Sequence, residues 1–246
     1  MQIIILAGGK GTRIKSVLGN TPKILARVKD RSFLDWLILW INSWDIKIKK
    51  PIILSTCIGH ELIKEYSEKK KYPIKCEKEK IPLGTFGAVA NAASENISEN
   101  YLVLNGDTIF KTNLKKIHDE FVASERLEPL IFLKESFNNE RYGGYIKTNQ
   151  GWFFSNKKTN LISLGAFFIS RDILIKRWVE ATNLKFEKNE INRLHDQEWM
   201  IDKHCFGDKP SLAVTLKENI PFLDIGIPSS LKKAQKYIPE ILNLKH

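Results

Sequence analysis

The sequence has few sulfur-containing residues and no long apolar run. Its 246 residues include three cysteines and two methionines. Cys57, Cys76 and Cys205 are odd in number and form no CxxC pair, which argues against a disulfide framework and against a zinc knuckle. We expect all three cysteines to be reduced and buried. Because no stretch of about 18 apolar residues occurs, the sequence predicts no membrane-spanning helix.

Acidic residues are also in deficit. Asp and Glu number 28 against 39 Lys and Arg, so the formal net charge is +11. Such a charge suits nucleic acid, a membrane surface or small phosphorylated substrates. The lysine run at 68–72 has no aromatic platform or RNA motif beside it and is interpreted as solvated surface. We therefore expect neither a nucleic-acid nor a membrane partner. The first residues lack a secretory signal, so a cytoplasmic location is expected.

Repeats, Ser/Gly linkers and low-complexity tracts are missing as well, which favours one domain over residues 1–246. Short apolar strands alternate with helical patterns, and this alternation predicts an α/β fold with a mainly parallel sheet covered on both faces. Trp36, Trp40 and Trp44 recur at every fourth position, as expected for the buried face of a helix. The predicted strands are 2–6, 51–56, 73–79 and 101–107, and the predicted helices are 33–44, 59–69 and 87–96.

The second half of the chain contains more strand candidates. Short β patterns surround one helical pattern at 172–180. This half is interpreted as a substrate lid or as an extension of the sheet. The predicted strands are 129–135, 143–148, 151–156, 161–170 and 211–217.

A glycine-rich stretch, "LAGGKGTR" at 6–13, directly follows the first predicted strand. Ligands of parallel α/β sheets bind beyond the carboxyl ends of the strands, where this stretch lies. Gly8, Gly9 and Gly11 allow backbone N–H groups to approach phosphate oxygens, and Arg13 adds a charged donor. The alternative is that the glycines only make a tight turn. The stretch matches neither a Walker loop nor GxGxxG.

Four further motifs follow it in order along the chain. They are "TPK" at 21–23, "PLGTFGA" at 82–88, "LNGD" at 104–107 and "FLDIGIP" at 222–228. Together the five motifs resemble the sugar-1-phosphate nucleotidylyltransferases, and within them most closely the D-glycero-D-manno-heptose 1-phosphate guanylyltransferases. This resemblance implies a Rossmann-like nucleotidyltransferase fold with a strand-rich, sugar-binding second half.

The resemblance also implies the reaction and its residues. A sugar 1-phosphate would attack the α-phosphorus of a nucleoside triphosphate and release pyrophosphate. Arg13, Lys23 and Asp107 are the implied catalytic residues, with Arg13 on the pyrophosphate and Lys23 at the reacting phosphates. The implied nucleotide-binding residues are Leu6, Ala7, Gly8, Gly9, Gly11, Thr12, Pro82, Gly84, Thr85 and Gly106.

Asp107 and Asp224 are the implied ligands of Mg²⁺, which favours oxygen ligands from one or two carboxylates together with phosphates and water. The alternative for either aspartate is a helix cap or a turn. Gly84, Thr85 and Gly87 would pack against base and ribose, or would simply start a helix.

The implied sugar-binding residues are Gly143, Asn156, Lys157, Ser163, Gly165 and Glu187. Here the sequence departs from its relatives. Asn156 stands where a glutamate is usual, Leu164 where a small residue is usual, and Ile81 where close relatives often have glutamate. These changes cluster around sugar and base, so the reaction class is better defined than the substrate.

Several alternatives stay open. The best-matching substrates are GTP and D-glycero-D-manno-heptose 1-phosphate. The alternatives are mannose or glucose 1-phosphate with GTP, CTP, UTP or dTTP, and a catalytically silent protein that binds nucleotide sugars. A homodimer is also left open. The polar residues of 195–205 match no standard metal pattern and are interpreted as a polar surface helix with one or two packed side chains.

Overall fold

The computed structural model describes residues 1–125, 127–136, 144–157, 159–194 and 198–242. In chain order its strands are β1 (Gln2–Leu6), β2 (Arg27–Val28), β3 (Arg31–Ser32), β4 (Lys49–Thr56), β5 (Ile74–Lys78), β6 (Asn100–Asn105), β7 (Thr108–Phe110), β8 (Leu130–Glu135), β9 (Gly144–Thr148), β10 (Gly151–Ser155), β11 (Leu161–Ser170), β12 (Leu212–Leu216) and β13 (Phe222–Asp224). Its helices are α1 (Lys15–Leu18), α2 (Phe33–Asn42), α3 (His60–Lys69), α4 (Gly84–Glu95), α5 (Leu114–Ala123), α6 (Arg171–Thr182), α7 (Lys188–Ile191), α8 (Ile201–His204) and α9 (Pro228–Ile241).

The central sheet begins with four parallel strands in the order β5-β4-β1-β6. Strand β11 pairs antiparallel with β6 and joins the second half of the chain to this sheet. Strand β8 pairs with β11 and with β12, and β9 and β10 form a hairpin. The predicted α/β fold with a mostly parallel sheet is therefore confirmed. Of the two interpretations of the second half, the structure shows the extension of the sheet.

Both faces of the sheet are covered. In β1, Ile3 and Ile5 pack into one core cluster and Ile4 into the other, because successive side chains of a strand point to opposite faces. Helices α2, α5 and α9 contribute buried residues to the first cluster, and α4 and α6 to the second. Trp36 and Trp40 are buried, which confirms the predicted apolar face of α2, but the helix ends at Asn42, and Trp44 lies partly buried beyond it.

Two of the three cysteines differ from the expectation of burial. All three cysteines are free thiols, but only Cys205 is buried, and Cys57 and Cys76 are partly exposed. Cys57 directly follows β4, so it lies at the edge of the sheet rather than inside the core.

Among the described residues, no helix has the length and apolar character needed to cross a membrane.

Candidate active site

A cavity of about 440 Å³ opens at the carboxyl ends of β1 and β6. This is the edge of the sheet where ligands of α/β folds bind. The three predicted catalytic residues and all ten predicted nucleotide-binding residues line it. They are Leu6, Ala7, Gly8, Gly9, Gly11, Thr12, Arg13, Lys23, Pro82, Gly84, Thr85, Gly106 and Asp107. Residues that are up to 101 positions apart in the sequence, from Leu6 to Asp107, thus meet at one cavity.

The three glycines of the loop after β1 differ in whether their local structure requires glycine. A Cβ on Gly8 would lie 2.7 Å from Glu79 Oε1, and Gly11 has a φ of +59°. Packing and turn geometry therefore explain these two. A Cβ on Gly9 would meet nothing within 4 Å. The tight-turn interpretation leaves Gly9 unexplained, because the loop has open space beside this residue.

The end of β6 lies tightly against β1. The Gly106 N–H donates to the Leu6 carbonyl at 2.9 Å, and a Cβ on Gly106 would lie 2.7 Å from the same oxygen. This contact holds the neighbouring Asp107 at the cavity. Lys23 begins a short helical turn after Pro22, and its Nζ forms an ion pair with Asp107 Oδ2. Both side chains are partly exposed, 22% for Lys23 and 17% for Asp107, so a ligand in the cavity can reach them.

Strand pairing brings the second aspartate to the first. Strands β7 and β13 are antiparallel, with Asp224 opposite Thr108, and the Ile225 N–H donates to the Asp107 carbonyl at 2.9 Å. The Gly226 N–H donates to Asp224 Oδ1 at 2.7 Å and orients that carboxylate. Both carboxylates line a second cavity of about 320 Å³.

The oxygen ligands that this aspartate pair offers can be compared with the coordination that a divalent cation requires. Over the described ranges, no three His, Cys, Asp or Glu side chains are grouped so as to share an ion. Two carboxylates that face a substrate cavity still fit a hard divalent cation, because Mg²⁺ takes its remaining ligands from phosphates and water.

The second cavity adjoins the first, and Arg13, Thr85 and Asp107 line both. Ser163 and Gly165, two predicted sugar-binding residues, line the second cavity. Gly165 has a φ of +66°, and a Cβ there would collide with the Asn105 side chain.

Leu164 lies between these two residues and also borders the second cavity, yet only 1% of it is exposed and it belongs to the first core cluster. Its unusual size is therefore accommodated by packing in the core.

Three predicted sugar-binding residues lie elsewhere. Asn156 and Lys157 are exposed in the turn after β10, and Glu187 is exposed just before α7. None of the three is among the residues that line the two cavities. Gly143 lies outside the described residues. The sugar-binding roles of these four remain predictions.

Sequence reasoning missed Glu79, which lines the first cavity and is only 4% exposed. Its carboxylate accepts hydrogen bonds from the Leu83 N–H and the Ser55 hydroxyl, each at 3.1 Å. Burial nevertheless raises the pKa of Glu79 to about 6. One signal was available, because Glu79 ends the predicted strand 73–79 and therefore lies at the ligand-binding edge of the sheet.

A segment before α8 was also missed. The Trp199 N–H donates to the Leu83 carbonyl at 2.8 Å, and its carbonyl accepts from the Phe86 N–H at 2.7 Å. The Ile201 N–H donates to the Thr85 hydroxyl at 2.8 Å. Gly84 has a φ of +74°, and a Cβ there would lie 2.6 Å from the Trp199 backbone. The "PLGT" turn thus has a structural role in docking this segment.

The same segment includes the stretch 195–205, for which a polar surface helix with one or two packed side chains was expected, and its described part is helical over Ile201–His204. Residues 195–197 lie outside the described part, but Ile201 and Cys205 are buried. Glu198 lines the first cavity and Asp202 the second. The described part of this stretch contains the apolar run at 199–201 and the apolar pair at 205–206 beside its polar residues, and this apolar content is the signal for partial burial.

Comparison with known proteins shows the family of the chain. The model of the family described as "Nucleotidyl transferase" matches residues 2–240. The fold and the site define a nucleotidyltransferase, and the chain belongs to this family.

Among individual relatives, the D-glycero-alpha-D-manno-heptose 1-phosphate guanylyltransferase of Aneurinibacillus thermoaerophilus is 31% identical over 96% of this chain and 97% of its own length. The enzyme of the same name from Campylobacter jejuni is 34% identical over 70% of this chain and 77% of its own. The crystal structure of HddC from Yersinia pseudotuberculosis complexed with GMP-PN superposes with a TM-score of 0.72 at 24% identity, covering 96% of this chain and 98% of that one. This last likeness concerns the fold.

Proposed function

We propose that this enzyme transfers a nucleoside monophosphate from a nucleoside triphosphate to a sugar 1-phosphate. An oxygen of the sugar 1-phosphate attacks the α-phosphorus, the α–β phosphoanhydride bond breaks, and pyrophosphate leaves with the bonding electrons. Such a transfer depends on holding two anions in line and on neutralising their charge.

One observation carries the proposal: two cationic side chains line the first cavity beside the glycine-rich loop, and one of them also lines the second cavity. Arg13 lines both cavities, and Lys23 lines the first and pairs with Asp107, which lines both. The triphosphate occupies the first cavity, with the glycine-rich loop donating N–H groups to it. The sugar 1-phosphate occupies the second, so the attacking oxygen and the α-phosphorus meet beside Asp107.

Asp107 and Asp224 would hold a Mg²⁺ ion, since their carboxylates line one cavity and lie on paired strands. When bound, this ion neutralises negative charge on the reacting phosphates. Arg13 supplies a planar cation for the departing pyrophosphate, and Lys23 a compact one for the transferred phosphate.

GTP and D-glycero-D-manno-heptose 1-phosphate are the proposed substrates, giving GDP-heptose. The support is the name shared by two relatives, one of which is 31% identical over nearly the full length of both chains. A homodimer and a cytoplasmic location remain predictions.

The test is a pyrophosphate-release assay with Mg²⁺. It crosses four nucleoside triphosphates with the heptose, mannose and glucose 1-phosphates, and mass spectrometry identifies the products. We expect the highest kcat/KM for GTP with the heptose 1-phosphate. Reactions without sugar 1-phosphate control for simple hydrolysis. Binding of nucleotide sugars without any sugar-dependent pyrophosphate release would overturn the enzymatic proposal and favour a silent binding protein.

A further inference from the structure

The second cavity contains a carboxylate that the proposed transfer does not use. Asp202, on α8, lines this cavity together with Asp107, Asp224 and Ser163. Its Oδ1 accepts a hydrogen bond from the Tyr145 hydroxyl at 2.5 Å. Tyr145 lies at the start of β9 and is only 1% exposed, so the donor is held rigidly in the second core cluster.

This carboxylate has spare hydrogen-bonding capacity. A carboxylate offers about four lone-pair sites, and Tyr145 occupies one of them. Within the described part of the chain, Tyr145 is the only hydrogen-bond donor to Asp202. Burial raises the pKa of Asp202, and the hydrogen bond from Tyr145 opposes that rise. Asp202 is only partly buried and is among the residues that line the cavity, so a hydroxyl of a ligand there can donate a further hydrogen bond to it.

The walls of the cavity suit a sugar. Ile131, Phe167 and Phe206 supply apolar surface, and Ser163 and Asn105 add polar groups. Its volume of about 320 Å³ lies at the lower end of the roughly 300–1,000 Å³ typical of small-molecule sites. Apolar walls with a few fixed polar groups orient a ligand and read its hydroxyl pattern.

We propose that Asp202 accepts a hydrogen bond from one hydroxyl of the sugar 1-phosphate, and that Tyr145 positions the carboxylate for this contact. The inference rests on the proposed function and deepens it. Asp202 then determines which sugars are accepted, while Arg13, Lys23 and the aspartate pair act on phosphates common to all of them. Tyr145 is a positioning residue, because it reaches the sugar only through Asp202.

The experiment measures how strongly the enzyme rejects a sugar that lacks one hydroxyl. The variants are Asp202→Asn, which keeps the shape of the side chain, and Tyr145→Phe, which removes only the hydroxyl. Asp208→Asn is the control, since Asp208 is an exposed aspartate of the same segment that lines neither cavity. The substrates are the best sugar 1-phosphate of the wild type and its monodeoxy analogues, each at saturating nucleoside triphosphate.

We expect the wild type to discriminate against one deoxy analogue by roughly 10- to 100-fold in kcat/KM. In Asp202→Asn this ratio falls to less than about threefold at that position only, mainly because KM for the parent sugar rises. Tyr145→Phe shifts the same ratio in the same direction by less. The KM for the nucleoside triphosphate stays at its wild-type value in both variants. In the control Asp208→Asn, the ratio of kcat/KM between the parent sugar and each deoxy analogue stays at its wild-type value.

The outcomes separate two failures. A wild type that uses none of the sugar 1-phosphates overturns the proposed function and this inference together. An active wild type whose deoxy ratios are unchanged in both variants overturns the inference alone. If Asp202→Asn does not fold, Tyr145→Phe decides: a ratio unchanged at wild-type Tm would mean that the pair is merely structural.

Discussion

At the scale of single residues, the proposed Mg²⁺ site consists of the carboxylates of Asp107 and Asp224. Asn at position 107 or 224 keeps the shape of the side chain but removes its negative charge. Because the proposed Mg²⁺ stabilises charge that shifts during the transfer, we expect Asp107→Asn and Asp224→Asn each to lower kcat by at least about 100-fold. The measurement is pyrophosphate release at saturating substrates over a range of Mg²⁺ concentrations.

Asp45→Asn is the matched control for these two variants, since Asp45 is exposed and lies outside both cavities. All three variants are expected to have the Tm of the wild type within a few degrees. Near-normal, Mg²⁺-dependent turnover in Asp107→Asn and Asp224→Asn would contradict the metal assignment.

A second prediction concerns Glu79 and the dependence of the free energy of unfolding on pH. Its pKa in the folded protein is about 6, above the ordinary value of 4.5. Between these values the folded state binds more protons than the unfolded state, so the free energy of unfolding falls as the pH rises. The shift of roughly 1.5 units corresponds to about 2 kcal/mol.

The measurement for Glu79 is urea unfolding of the wild type and of Glu79→Gln at intervals from pH 4 to 7. Glutamine cannot ionise, so we expect the free energy of unfolding of the wild type, relative to that of the variant, to fall by about 2 kcal/mol over this range. The difference between the two proteins removes the contribution of every other group. Parallel curves would show that Glu79 titrates normally in the folded protein.

At the scale of elements, the start of α4 depends on one glycine. Gly84 combines a φ of +74° with the close approach of the Trp199 backbone. A side chain there costs about 1–2 kcal/mol for the left-handed conformation and pushes the segment before α8 away from the helix. For Gly84→Ala we therefore expect a loss of about 2–4 kcal/mol in the free energy of unfolding. KM for the nucleoside triphosphate should rise as well, because Met200 and Glu198 line the first cavity.

Gly9→Ala is the control for stability, because a Cβ at Gly9 would meet nothing within 4 Å. Denaturant unfolding of both variants provides the comparison. Equal stability of Gly84→Ala and Gly9→Ala would mean that the segment before α8 does not dock on α4 in solution.

At the scale of the whole molecule, the two core clusters share the strands of one sheet. Helix α9 comes late in the chain, yet Ala234 and Ile238 are fully buried in the cluster that contains Ile3 and Ile5 of β1. The Gln235 side chain also donates to the Arg27 carbonyl at 3.0 Å. Residues of β1 and of α9 therefore pack in the same core cluster, and a single domain over 1–246 remains a prediction.

This arrangement predicts one cooperative unfolding transition. Ile238→Ala should remove about 2–5 kcal/mol and lower the Tm of that whole transition. Lys233→Ala, at an exposed position of the same helix, should leave Tm nearly unchanged. Calorimetry together with tryptophan fluorescence, to which tryptophans of both core clusters contribute, checks this. Two separate transitions, only one of which shifts, would contradict a single domain.

The sequence by itself determined the fold class and the phosphate side of the site. Apolar runs and glycine-rich turns depend on local backbone geometry, which each stretch carries with it. For this reason the strands, the helix of Trp36 and Trp40, and the loop from Leu6 to Arg13 could be predicted. Asp107 could be placed because it follows a parallel strand.

Only the tertiary structure decided how distant side chains are brought together. The resemblance implied that Asp107 and Asp224 act as a pair, but the pairing of β13 with β7 supplies their contact. Docking on α4 brings Asp202 to the cavity beside Tyr145, which no motif had indicated. No local pattern encodes these contacts, because each depends on the register and packing of elements far apart in the chain. The burial that raises the pKa of Glu79 is likewise a property of the assembled core, since its carboxylate loses water only when β5, α4 and the loop after β1 close around it.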